Sequence, residues 1–176
     1  IYLKKIKSNN HKIFFTGKFS KNISKINTIS TLLNLLDAEK LLNNQKFEIK
    51  IRKNIPHGAG MGGGSMNAAS LINFLISKKI LKIKNKKLND LAAKIGSDVV
   101  LGLKPGNTIL SSNGKIKRFV NKKVLYVLIA KPYFGCSTKL IYSKVVSFSK
   151  SQFKRPQQKM FQPQYLKALN NDLEKI

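Results

Sequence analysis

Residues 54–77 contain no Asp, Glu, Lys or Arg, in a 176-residue chain with 34 Lys+Arg, 7 Asp+Glu and a net charge of +27. A charge-free stretch in so basic a chain implies burial or close backbone contact with something. Five of the eleven glycines fall inside it, in Ile55-Pro56-His57-Gly58-Ala59-Gly60-Met61-Gly62-Gly63-Gly64-Ser65-Met66-Asn67-Ala68-Ala69. Before the run, residues 46–52 alternate cleanly, with Phe47, Ile49 and Ile51 on one face and Glu48, Lys50 and Arg52 on the other. That is a half-buried strand. After it, residues 65–79 place Met66, Ala69, Ile72 and Leu75/Ile76 at helical spacing. A strand, a glycine loop and a helix in direct succession restrict the chain to folds in which a backbone loop opens onto a helix N-terminus.

Glycine permits positive φ and lets a ligand approach backbone N–H groups. The first N–H groups of a helix have no internal partner and carry partial positive charge. Together these features predict a phosphate cradle. A flexible linker is the plain alternative, but linkers are not flanked by a clean strand and a clean amphipathic helix. Gly58, Gly60 and Gly63 fit the dinucleotide fingerprint G-x-G-x-x-G, yet the acidic residue wanted about 20 positions on is replaced by Ser77-Lys78-Lys79. Gly58 to Gly63 also fit a Walker loop, but Gly64 stands where its Lys is required. The loop therefore belongs to neither standard class. Ser65, at the helix start, can cap, contact phosphate or bind Mg²⁺.

Around this unit the sequence predicts an α+β domain, a mixed sheet with helices on one face. Residues 1–6 and 12–16 read as strands, 27–42 as a helix capped by Asn27 or Thr28, 85–95 as a helix ended by Gly96. Residues 99–103 and 108–111 read as strands, with an Asn113-Gly114 turn into 115–120. Residues 124–130 read as a buried central strand, 150–164 as a loop or linker, and 165 onward as helical. The basic charge is almost all Lys and evenly spread, the pattern of a solvated surface under compositional drift; it still attracts phosphorylated small molecules. The single cysteine, Cys136, excludes an internal disulfide framework and a Cys-rich zinc site, and fits a reducing, cytoplasmic compartment. No apolar stretch is long enough to span a bilayer.

Among the acids, Asp37, Glu39, Glu48 and Asp90 read as solvated faces. Asp98 differs: it lies in Gly96-Ser97-Asp98-Val99, between a helix end and an apolar run. An Asp there can be a cap or turn residue. Beside a nucleotide cradle, a carboxylate can accept the proton of an attacking hydroxyl.

Pro56 through Ala69 resemble the phosphate loop of the galactokinase–homoserine kinase–mevalonate kinase–phosphomevalonate kinase (GHMP) superfamily, in the form P-x-G-(A/G)-G-(L/M)-G-G-G-S-(S)-N-A-A; Met66 departs where Ser is commoner. Gly96-Ser97-Asp98-Val99 is similar to that family's G-(A/S)-D-V, and Asn171-Asp172-Leu173-Glu174 to its N-D-L-E. Lys131-Pro132, Ser137-Thr138 and Tyr142 are similar to its P…T…(Y/F) segment. The closest likeness is to the branch acting on a cytidine diphosphate-linked methylerythritol, in the non-mevalonate isoprenoid pathway. The resemblance implies an ATP-dependent small-molecule kinase with an S5-like N-terminal domain over residues 1–149, then a linker and the start of a ferredoxin-like domain over 150–176. It implies that Asp98 is the catalytic base and that Pro56, His57, Gly58, Ala59, Gly60, Met61, Gly62, Gly63, Gly64 and Ser65 hold the ATP phosphates, with Ser65 also placing Mg²⁺. Lys53 matches a basic position near the nucleotide, Asn27 the adenine-contacting Asn, and Tyr142 an aromatic that stacks on cytosine.

The family's A-K-(I/L)-N strand, its G-Y-H segment and its third glycine motif have no counterpart here, and the chain does not begin with Met. The resemblance therefore implies an internal piece of a kinase, inactive as it stands, with a small-molecule substrate and no membrane partner. Two alternatives stay open: another GHMP small-molecule kinase, and a basic S5-like module that binds nucleic acid.

Overall fold

The computed structural model describes residues 1–111, 113–120, 126, 128–130, 137–150 and 155–174. Two compact units are present, one of residues 1–57 and 61–104, the other of residues 58–60 and 105–176.

In the first unit, β1 (Tyr2–Ile6), β2 (Lys12–Thr16) and β3 (Lys46–Arg52) form a mixed sheet in the order β1-β3-β2. β3 is central, antiparallel to β1 and parallel to β2, with Ile49 opposite both Leu3 and Ile13. The alternation read in its sequence holds: Phe47, Ile49 and Ile51 are buried. A parallel pair needs a crossover, and α1 (Thr28–Ala38) supplies it between β2 and β3. Ile29, Leu32, Leu33 and Leu36 on α1 join Ala68, Ala69, Leu71, Ile72 and Leu75 on α2 (Gly63–Ser77) in the core. Burying each large aliphatic side chain contributes roughly 1.5–3 kcal/mol. The apolar part of the charge-free sequence of α2 is thus explained by burial of one face, while Ser70, Asn73 and Ser77 are exposed.

α1 ends earlier than the expected 42. Lys40 takes a left-handed φ of 55°, and the Leu41 N–H turns back to the Leu36 carbonyl at 2.8 Å, closing the helix. Two acids expected on solvated faces are instead paired. Asp37 bonds the Lys46 ammonium and lies 3.2 Å from His11 Nε2, tying α1 to β3 and to the turn before β2. Glu39 lies 2.7 Å from Lys87 and 3.8 Å from Lys94, tying α1 to α3 (Asn85–Ile95). Residues 99–102 form the short helix α4 (Val99–Gly102), not the expected strand. A four- or five-residue apolar run has no decisive period, and here it packs as a helical turn, with Val99, Val100 and Leu103 buried.

In the second unit, β4 (Asn107–Leu110) and β5 (Ile116–Phe119) form the expected hairpin through Gly114. α5 (Thr138–Ser143) is capped by the Ser137 hydroxyl, a 3-10 turn spans Gln158–Phe161, and α6 covers Pro163–Lys167. Residues 124, 125 and 127 of the expected central strand lie outside the described residues. Tyr126 and Leu128 are each 97% exposed and unpaired, so the run is not a buried strand there. Lys131, Pro132 and Cys136 also lie outside the described residues.

A Cβ on Gly102 would come within 2.6 Å of Ala69 Cβ and 2.9 Å of Met66 Sδ. The sulfur can move; the Ala69 methyl cannot without moving α2. Gly102→Ala should therefore destabilise the protein by about 1–3 kcal/mol, despite the roughly 1 kcal/mol that Ala gains over Gly in a helix. A urea midpoint that is unchanged or raised would contradict this packing.

His11 Nδ1 accepts the Phe47 N–H at 3.1 Å, and its ring stacks on Phe47 at 5.9 Å. Burial holds the imidazole below its ordinary value of 6.5; the Asp37 carboxylate opposes this and the Lys46 ammonium adds to it. The unfolded chain thus binds the proton more readily than the folded one. Stability should be full above pH 6.5 and fall as the pH drops below it. His11→Gln should flatten that limb in melts taken from pH 7.5 to 5.

Candidate nucleotide site

The first turn of α2 is uncapped. Gly62 occupies the cap position with a left-handed φ of 61° and offers no side chain to accept from the helix, and the Met66 N–H is the first to bond, to the Gly62 carbonyl at 2.9 Å. Gly58 and Gly60 are also left-handed, at 64° and 67°. The amides of Gly63, Gly64 and Ser65 are left at the open end of a 15-residue helix. Ser65 is the third helical residue, so the capping role open to it from sequence is not the one it takes.

Gly62, Gly63 and Gly64 each have a polar side-chain atom of the first unit close by. A Cβ on Gly62 would stand 3.6 Å from Asp98 Oδ2, one on Gly63 3.4 Å from Lys53 Nζ, and one on Gly64 3.4 Å from Thr28 Oγ1. A Cβ on Gly96 would stand 3.7 Å from Ser65 Oγ. The carboxylate, the ammonium and two hydroxyls therefore surround one set of open amides. Asp98 is exposed; it precedes α4 without capping it, and its Oδ1 is 3.4 Å from the Ser97 hydroxyl.

Lys53 extends β3. Its N–H bonds the Thr16 carbonyl at 2.7 Å and its carbonyl accepts from the Phe19 N–H at 3.2 Å. The residue is only 6% exposed, and burial pushes its ammonium below the ordinary lysine value. Among the described residues no carboxylate pairs with it. A buried cation beside a positive helix end is electrostatically unfavourable unless an anion joins them.

Next to Lys53 lies a cleft of about 240 Å³, lined by Phe15, Ile23 and Ile29 on its apolar side and by Asn27, Thr28, His57 and Asn67 among its polar groups. Asn27, expected to meet adenine, is engaged as the α1 cap. Its Oδ1 accepts from the Ile29 and Ser30 N–H groups at 3.0 and 3.2 Å, and its Nδ2 donates to the Ser24 and Lys25 carbonyls at 2.9 and 3.3 Å. Thr28 donates to the Gly64 carbonyl at 2.9 Å, joining the starts of α1 and α2. Sequence reading passed over Thr28, Phe15 and Ile23; only Thr28 carried a signal, as the alternative cap beside Asn27. Pro56 and Met61 are half-buried in the loop, where Ala59 also lies. Tyr142 lies on α5 in the second unit and is 52% exposed.

Residues 27–113 match the family described as "GHMP kinases N terminal domain". The chain belongs to the GHMP kinases. It is 65% identical, over 166 residues, to the 4-diphosphocytidyl-2-C-methyl-D-erythritol kinase of Pelagibacter ubique (strain HTCC1062), covering 94% of this chain and 59% of that protein. It is 37% identical over 119 residues to the enzyme of the same name from Petrotoga mobilis, covering 68% of this chain and 46% of that one. The chain thus spans about half to three-fifths of the length of these curated relatives. Among solved structures it is similar to a 4-(cytidine 5'-diphospho)-2C-methyl-D-erythritol kinase, with a TM-score of 0.51 and 22% identity over 82% of this chain and 50% of that one. Homoserine kinase from Cytophaga hutchinsonii gives 0.54 and 18%, over 85% and 51%. The two structures establish the fold.

Lys53→Met removes a desolvated charge and keeps the stem. It should raise the thermal midpoint while weakening ATP binding roughly tenfold or more, the worth of one charge-assisted hydrogen bond. Calorimetric titration and a thermal melt on the same sample check both; a variant that loses stability as well as affinity would show that Lys53 serves the fold.

Proposed function

We propose that the protein is a kinase that transfers the γ-phosphoryl group of ATP to the 2-hydroxyl of 4-diphosphocytidyl-2-C-methyl-D-erythritol, and that this chain carries its nucleotide-binding and base-supplying residues. The observation that carries the reading is the Asp98 carboxylate beside Gly62, at the open amides of α2. The similarity to curated relatives bearing that enzyme's name supports the choice of substrate.

In this reading the amides of Gly63, Gly64 and Ser65 and the Lys53 ammonium receive the phosphates. They neutralise negative charge without reorganising when it shifts toward the leaving ADP. The nucleoside occupies the cleft between Lys53 and Asn27. Asp98 takes the proton of the acceptor hydroxyl as its oxygen bonds the γ-phosphorus and the bond to the β-phosphate oxygen breaks, leaving the product phosphate and ADP. Tyr142 is assigned to the cytosine end of the acceptor.

Mg²⁺ is held mainly by phosphate oxygens and water, with one or two protein oxygens. The Ser65 hydroxyl, in the first turn of α2, fits that requirement. A bound ion there would supply further charge neutralisation.

In the full-length gene product, Asp98→Asn should lower kcat roughly 10²- to 10⁴-fold, the usual weight of a positioned base. Its ATP affinity should stay within about threefold, because the lost carboxylate adds no attraction for phosphate. Unchanged turnover would remove Asp98 from this role. Phosphorylation of homoserine in place of the cytidine diphosphate compound would remove the substrate assignment and leave the kinase.

A further inference from the structure

The chain between β2 and α1, residues 17–27, forms one side of the cleft, and a distant side chain holds it. Its backbone bends at Asn22, whose φ of 59° is left-handed, a conformation that Asn tolerates better than most residues. Directly before the bend, the Lys21 carbonyl accepts a hydrogen bond from His57 Nε2 at 3.2 Å. Directly after it, Ile23 enters the lining of the cleft beside Phe15 and Ile29. One imidazole, 36 positions along the chain, therefore fixes the corner that sets the apolar wall. A carbonyl can only accept, so Nε2 carries the proton and is committed to Lys21 rather than to a ligand.

The geometry points to His57 as a positioning residue that sets the fit of the nucleoside, acting through Lys21 and Ile23 and not on the phosphates. The inference rests on the cleft being the nucleotide site, and it divides that site in two. The phosphate part is built from the α2 amides and Lys53, whose backbone is held by Thr16 and Phe19, ahead of the bend at Asn22. The nucleoside part is bounded by Ile23, directly after the bend. The pin is a single hydrogen bond on the wall, so its loss widens one part of the site and leaves the other as it was.

Two probes separate the parts: ATP, and inorganic tripolyphosphate, which has no nucleoside. In calorimetric titrations of the full-length gene product, His57→Ala should weaken ATP roughly three- to tenfold, the worth of one hydrogen bond. Tripolyphosphate should stay within about twofold, because its partners are untouched. His57→Gln, whose amide can donate to the same carbonyl, should restore ATP binding. His57→Phe, which keeps the ring and lacks the donor, should behave as the Ala variant and carries the expectation if that variant does not fold. Equal weakening of both probes would overturn the inference in favour of a general structural role, and so would ATP binding indifferent to His57→Ala or not restored by Gln. If the parent chain binds tripolyphosphate but not ATP, the nucleotide reading itself falls, which is a different result from ATP binding that ignores His57.

Discussion

Three consecutive amides at the start of α2 lie at the open end of their helix because Gly62 places no side chain over them. Such groups carry the positive end of the helix dipole, and the fold adds a buried ammonium, Lys53, to the same place. Two like-signed features side by side oppose folding. They persist because the surrounding core is firm: β3 is flanked on both sides, and α1 and α2 bury aliphatic side chains against it. An anion would resolve the conflict, which ties the unfavourable electrostatics to the role proposed for this site. Stability held back at a binding site is a common trade in enzymes.

The parts of the fold legible in the sequence were those with a strong local period. β3 announced itself by alternation and α2 by its freedom from charge, and α3 ran from 85 to 95 as read. Where the period was short or the terminator lay in backbone geometry, sequence was a poor guide. α4 is a helix because its apolar residues meet α2 across Gly102, a contact with no local signature. α1 stops at Ala38 because Lys40 goes left-handed, a conformation nothing in a lysine foretells. The glycine loop and Asp98 could be singled out because glycine-rich runs and acids are scarce in this chain. Thr28 to Gly64 and His57 to Lys21 could not, since each joins positions 36 apart through a backbone carbonyl that every residue possesses.

The acids show how composition and architecture interact. With seven carboxylates among 34 Lys and Arg, nearly any acid can find a cation. Asp37 and Glu39 nevertheless each take two cationic or ionisable partners from other elements, while Asp98, next to the site, lies within 4 Å of no cation among the described residues. The surplus lysine elsewhere serves as solvated surface.

Helix α1 is held at both tips. Asn27 and Thr28 bind its beginning to the preceding loop and to α2, and Asp37 and Glu39 rivet its end to the sheet and to α3. It behaves as a braced strut, and the rim of the cleft built on its first turn is an extension of the scaffold rather than a flap. Whatever enters there meets a wall already in place, so little ordering entropy is left for the guest to overcome on arrival.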